Sequence, residues 1–162
     1  MNIMIGSVMD ALRATANNKN INLVSIFSGR DKKRLLDLHG IDFDEEMKDC
    51  TNMLRLSFDD VFGMEEDSPS KEDVRKAIEW CKDRKNVMVH CFAGMSRSSA
   101  LAYVIACSQM PVDHALQVIN LKVHCPNDLI VSLGSDILGN KKMVKKLEKK
   151  EKQTRQQWMS IQ

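Results

Sequence analysis

Residues 87–98 read VMVHCFAGMSRS, and within them Cys91 stands six positions before Arg97. A cysteine thiolate is a strong nucleophile, and a planar guanidinium can hold two oxygens of one phosphoryl group. Their setting gives the pair a common target. The short apolar run 87–89 reads as a strand that ends at His90, and residues 100–107 are apolar almost all round, as in a helix buried on every side. Between strand and helix, the backbone N–H groups of Phe92, Ala93, Gly94, Met95, Ser96 and Arg97 can converge on a single anion. Unpaired N–H groups at the start of a helix beginning near Ser98 add to them. Gly94 permits the backbone twist that such convergence requires. Cys91 lies at the mouth of this field, which favours its thiolate. The chemistry indicated is nucleophilic attack on a phosphate ester.

This stretch resembles the protein tyrosine phosphatase superfamily, whose signature is HCxxGxxR followed by Ser or Thr. His90, Cys91, Gly94, Arg97 and Ser98 match every fixed position, and HCFAGMSRS looks most like the small dual-specificity and tyrosine phosphatases. The similarity extends to residues 54–60, which resemble the strand and acid loop of that family, and to Pro126-Asn127, which resembles its late Pro-Asn element. It covers roughly residues 22–138. The resemblance implies a phosphocysteine intermediate on Cys91, with Arg97 and the loop amides binding the phosphate. It also implies that Ser98 hydrogen-bonds the sulfur, that His90 and Asn127 support the site from behind, and that no metal or cofactor takes part.

The resemblance also implies a general acid on the loop after the second family strand, and two adjacent aspartates compete for that role. Leu54, Leu56 and Phe58 alternate with Arg55 and Ser57, a period-two pattern that continues to Asp60 if the pleat persists for one more step. Asp60 is the candidate, and Asp59 is the alternative. Five carboxylates in nine residues (59–67) make this segment an acidic loop as well.

The other elements follow from periodicity. Residues 22–27 and 53–58 read as strands, and residues 32–38 as a helix stopped by Gly40. A helix follows Ser70 and Asp73, which form a capping-box pair, with Val74, Ala77, Ile78 and Cys81 along one stripe. Residues 112–119 and 128–138 read as further helices, each after a proline. Alternating strands and helices predict an α/β fold: a central, mainly parallel sheet of four or five strands with helices on both faces and the phosphate loop between a central strand and the buried helix. Residues 1–139 form the predicted phosphatase domain, and residues 140–162 a basic helical extension or tail.

Charge and composition narrow the function. The chain of 162 residues carries a formal +2. Residues 141–155 alone hold seven Lys, one Arg and two Glu, a balance of +6, so the remainder stands at 2 − 6 = −4. That body is no nucleic-acid binder, although the basic tail suits an anionic partner. The N-terminus lacks the pattern of a signal peptide, and no apolar stretch approaches the roughly 20 residues that span a bilayer. Five cysteines without a CxxC pair point away from a disulfide framework or zinc site and toward the cytoplasm. Cys81 and Cys107 read as small core residues. Cys50 and Cys125 stay open as partners in a regulatory disulfide. His39, His114 and His124 lack ligand spacing.

The expected activity is hydrolysis of phosphotyrosine, with phosphoserine or phosphothreonine as further substrates, in a phosphorylated protein or peptide. Two rivals remain. One is a phosphate-binding module without turnover, and the other is a related phosphatase for phosphoinositides or RNA 5′-triphosphates. The uncharged Phe92, Ala93, Met95 and Ser96 argue against a polyanionic substrate.

Overall fold

A computed structural model describes residues 1–63 and 65–160. Met64 of the acidic loop and the last two residues of the basic extension lie outside the described residues. Four strands form one parallel sheet in the order β1-β4-β2-β3: β1 (Asn2–Gly6), β2 (Leu23–Ile26), β3 (Met53–Leu56) and β4 (Asn86–His90). The α/β expectation holds. The N-terminal strand and the helix α1 (Val8–Asn17), capped by Ser7 and Asp10, form a strand-helix unit that the sequence reading left unassigned.

The pleat sorts the strand residues onto two apolar layers. Val24, Ile26, Val87 and Val89 face one layer, built with α4 (Lys71–Cys81), α5 (Arg97–Cys107), α7 (Asp128–Leu138) and α8 (Lys142–Met159). Leu23 and Met88 face the other, formed with α1, α2 (Gly29–His39) and the short α3 (Phe43–Glu46). Helix α5 passes through the main layer with Ala100 to Ala106 fully buried, because its apolar residues leave no polar face to offer water. Parallel strands place all four carboxyl ends on one edge of the sheet, the usual place for a ligand in such a fold. The site lies there.

Several boundaries differ from the sequence reading. The third strand stops at Leu56, two residues short of Phe58, since the last ladder bond is Phe27 N–H to Leu56 C=O at 3.0 Å. Residues 112–119 form only the short α6 (Val112–Ala115) and a 3₁₀ turn, Leu116–Val118. Helix α5 begins at Arg97, one residue before Ser98. The basic extension is a helix, and it docks on the main layer. Met143 and Leu147 are 0% and 2% exposed, and the buried Tyr103 hydroxyl donates to Met143 C=O at 2.8 Å. Lys150 Nζ donates to the carbonyls of Leu116 and Ile119, fixing the end of the 3₁₀ turn.

This packing makes residues beyond Gly139 part of the core. Leu147→Ala should destabilise the fold by about 2–5 kcal/mol, the range for large-to-small core changes, as read from urea unfolding midpoints. A chain ending at Gly139 should lose more, because Met143 and the acceptor for Tyr103 go with it.

Candidate active site

The loop leaves β4 at His90 and enters α5 at Arg97, and backbone contacts hold it from both sides. On one side Val8 N–H donates to Phe92 C=O at 3.1 Å, and Gly94 lies against the end of β1. On the other, Cys125 N–H donates to Met95 C=O at 3.0 Å, and Asn127 N–H to Ser96 C=O at 3.4 Å. Gly94 has φ 74°, and a Cβ there would meet Gly6 C and Ser7 N at 2.6 Å. Only glycine fits this conformation and this close approach. Ser96, at the head of α5, makes no side-chain cap, which leaves the first amides of the helix available to an anion.

Cys91 is 2% exposed and lines the floor of a cavity of about 530 Å³. Its thiol donates to Ser98 Oγ at 3.2 Å. When the sulfur is a thiolate the direction reverses and the hydroxyl donates to it. Behind the loop, the buried His90 ring lies beside the packed pair of Phe27 and Phe43, with centroids 5.9 and 5.8 Å away, and its Nδ1 lies 3.4 Å from Cys91 C=O. Burial pushes the imidazole down to about 4, so it is neutral at physiological pH.

Arg97 is held by a residue that the sequence reading missed. Nη1 and Nη2 donate to the two carboxylate oxygens of Asp31 on α2, at 2.7 and 3.1 Å, and Nη1 also donates to Phe58 C=O at 2.9 Å. A guanidinium has five N–H groups, so three bonds leave two, on Nε and Nη2. Those two share one edge. Nε is buried and has no partner among the described residues. Burial works against the charge on Arg97, but the Asp31 carboxylate outweighs it and holds the guanidinium above its ordinary value. Asp31 also accepts from Ser28 N–H in the capping box of α2, so one carboxylate anchors both the helix and the arginine. Its sequence signal was limited to that capping pair, with nothing to link it to residue 97.

The two aspartates diverge as the strand alternation predicts, even though the ladder ends before them. Asp60 turns to the α7 side, where its Oδ1 accepts from Ser96 Oγ at 2.8 Å and from Asn127 Nδ2 at 2.9 Å. Asn127 is fully buried, caps α7 through Ile130 N–H, and also donates to Val61 C=O. Asp59 turns to the α2 side, with Oδ2 2.9 Å from Arg30 Nη1. Both line the cavity, together with Phe92, Ala93, Met95 and Ser96 of the loop, and with Arg30, Arg34, Val61, Phe62 and Cys125. Cys50 is not among the cavity residues, and all five cysteines are free thiols. Among the described residues, no three His, Cys, Asp or Glu side chains cluster as a metal site would require. Among the described residues, no helix is long and apolar enough to cross a membrane.

No protein-family model matches the sequence, and no curated protein is significantly similar to it. Solved structures are similar in fold. PTPMT1 in complex with PI(5)P superposes at TM-score 0.58 with 16% identity, over 85% of this chain and 90% of that one. A second PTPMT1 structure gives 0.57 and 19%, over 91% and 95%. The PTP-2 phosphatase of Cydia pomonella gives 0.57 and 17%, over 82% and 83%. The chain therefore shares the α/β fold of these solved structures.

Two outcomes follow from this geometry. Gly94→Ala should abolish protection of Cys91 from iodoacetamide by vanadate, because the loop must leave Gly6 and Ser7 to accept a methyl group; mass mapping of the labelled cysteine reads it. The second concerns His90, whose folded value lies below its unfolded one. Its contribution to stability is complete above about 6.5 and is lost as pH falls toward 4. Urea unfolding between pH 7 and pH 4 should show this loss, up to about 3 kcal/mol, and His90→Asn should flatten that part of the profile.

Proposed function

We propose that this chain is a cysteine-dependent phosphatase that hydrolyses phosphotyrosine in proteins or peptides. The observation that carries the reading is the arrangement at the cavity floor. Cys91 Sγ sits beside a serine hydroxyl, under the amides of a tight loop, with two adjacent arginine donors unclaimed by protein. A phosphoryl group has the charge and the oxygens to satisfy all of them.

In the first step the Cys91 thiolate attacks phosphorus, and a P–S bond forms as the ester P–O bond breaks. Arg97 and the amides of residues 92–97 hold the three non-bridging oxygens. Asp60 gives its proton to the departing oxygen. In the second step the Asp60 carboxylate takes a proton from water as that water attacks the phosphocysteine, and inorganic phosphate leaves. Ser98 donates to the sulfur as its negative charge returns. Asn127 and Ser96 occupy Oδ1 of Asp60, which leaves Oδ2 for the proton. Arg30 engages Asp59 from the far side, which supports Asp60 as the acid. His90 and Asn127 act as positioning residues.

The walls support an aryl ester. Cys91 is 2% exposed, and Val61, Phe62, Phe92 and Met95 offer apolar surface in the same cavity, with Phe62 69% exposed. A tyrosyl ring can pack against these side chains, and a seryl methylene has far less surface to offer them. One observation favours a second reading: Arg30 and Arg34 line the mouth, and a solved structure of similar fold was obtained with PI(5)P. A panel of phosphotyrosyl and phosphoseryl peptides, phosphoinositides and RNA 5′-triphosphate decides between them. The first class should be turned over fastest, and a faster rate on phosphoinositide would favour the alternative.

Asp60→Asn should lower turnover of an aryl phosphate by about 10² to 10⁴ with binding retained, the range for loss of a general acid. Asp59→Asn should have a mild effect. The reverse pattern would move the acid to Asp59, and Cys91→Ser should abolish turnover altogether.

A further inference from the structure

Helix α8 follows residues 22–138, the stretch that carries the family resemblance, and one of its lysines differs from the rest. Lys142, Lys145, Lys146, Lys149 and Lys152 are exposed, whereas Lys150 is half-buried. Its ammonium donates to Leu116 C=O at 2.7 Å and to Ile119 C=O at 3.1 Å, where the 3₁₀ turn gives way to an irregular segment. The turn ends there, so no further helical N–H follows to serve Ile119 C=O, and the lysine takes that place.

From Ile119 the chain leads to the active site. Residues 120–124 form a compact turn: Val123 and His124 N–H both donate to Asn120 C=O, at 3.0 and 2.8 Å, and Asn120 N–H donates to His124 Nδ1 at 3.1 Å. The residues after this turn hold the catalytic elements. Cys125 N–H donates to Met95 C=O, while Asn127 donates to Ser96 C=O through its backbone and to Asp60 Oδ1 through its side chain. A tight turn fixed at Ile119 thus has its other end on the phosphate loop and the acid.

We propose that Lys150 is a positioning residue for the general acid Asp60, acting through residues 119–127. The inference rests on the phosphatase reading above. The phosphate loop has a second support, from Val8 N–H and from the close approach of Gly94 to Gly6, so it should keep its shape when the turn loosens. Asp60 lacks such a reserve. Among the described residues, the bonds to its Oδ1 come from Asn127, at the end of this segment, and from Ser96, whose carbonyl accepts from Asn127 N–H. Loss of the Lys150 contacts therefore displaces the acid more than the anion site. Asn127 also caps α7, which limits the displacement and keeps the effect below that of removing the acid.

The test compares the unmodified full chain with Lys150→Met, which keeps the aliphatic stem and loses the donors. Turnover of phenyl phosphate should fall about tenfold, within the range for a small misplacement of a catalytic group. Turnover of nitrophenyl phosphate should fall less than about threefold, because its more acidic leaving group needs less protonation. Vanadate should protect Cys91 from iodoacetamide as well as it does in the unmodified chain. Lys150→Arg, which keeps donors for both carbonyls, should restore most of the rate. In a chain carrying Asp60→Asn, Lys150→Met should cost less than about twofold more, since the group it positions is gone. Lys146→Met breaks the exposed pair with Asp113 one turn earlier and controls for weaker docking of α8; it should leave both rates unchanged. If Lys150→Met is too unstable to assay, Lys150→Gln, whose shorter side chain cannot reach both carbonyls, gives the same comparison. Unchanged turnover, an equal loss on both esters, the same loss in Lys146→Met, or a full additional loss beside Asp60→Asn would overturn the inference and leave the phosphatase reading standing. Absence of turnover by the unmodified chain would overturn that reading and the inference with it.

Discussion

A guanidinium that is almost wholly buried must have its charge met inside the protein, and Arg97 meets this requirement through Asp31. The pair ties the start of α5 to the start of α2, on the opposite face of the sheet, and its bidentate geometry fixes the plane of the arginine. The orientation of the remaining two donors follows from that plane. Phe58 C=O accepts from the same guanidinium, so the backbone leading to Asp59 and Asp60 is set by this pair as well. Loop, helix and acid segment all refer to one buried ion pair.

The pair also shapes the electrostatics of the cavity. Asp31 offsets the charge of Arg97, so the attraction for an incoming anion must draw on the loop amides and the uncapped head of α5 as well as on the arginine edge. These dipoles are fixed by backbone bonds to Val8, to Cys125 and to Asn127, and need little reorganisation when charge arrives. His90 contributes by staying neutral. A second buried cation directly behind Cys91 would require its own partner, and the aromatic surroundings of Phe27 and Phe43 provide none.

Asn127 performs a similar service for the acid segment. One buried amide joins Asp60, Val61 and the cap of α7, so the otherwise irregular stretch after β3 is held against the loop at a single point. Among the described residues beyond it, Asp59 N–H donates to Asp67 C=O and closes the base of the segment, Arg30 lies near Asp67, and Ser68 contacts Gly63 and Glu65.

The sequence by itself determined the local features, because these depend on near neighbours. The strand-loop-helix around Cys91 and Arg97 follows from apolar runs bracketing a glycine-containing loop, and the helix ends at Gly40 and the Ser70–Asp73 cap follow from rules that span a few residues. The opposite directions of Asp59 and Asp60 match the alternation read from the sequence, although the strand itself ends at Leu56. Features joining distant segments were decided only by the tertiary structure. Asp31 and Arg97 are 66 positions apart, and Asp60 and Asn127 are 67 apart, so no periodicity connects them. The docking of the basic extension was not legible for the same reason. Met143 and Leu147 make a thin stripe on a lysine-rich helix, and whether two apolar side chains suffice to dock it depends on the surface they meet, which Tyr103 and the ends of α6 and α7 provide only once the chain has folded.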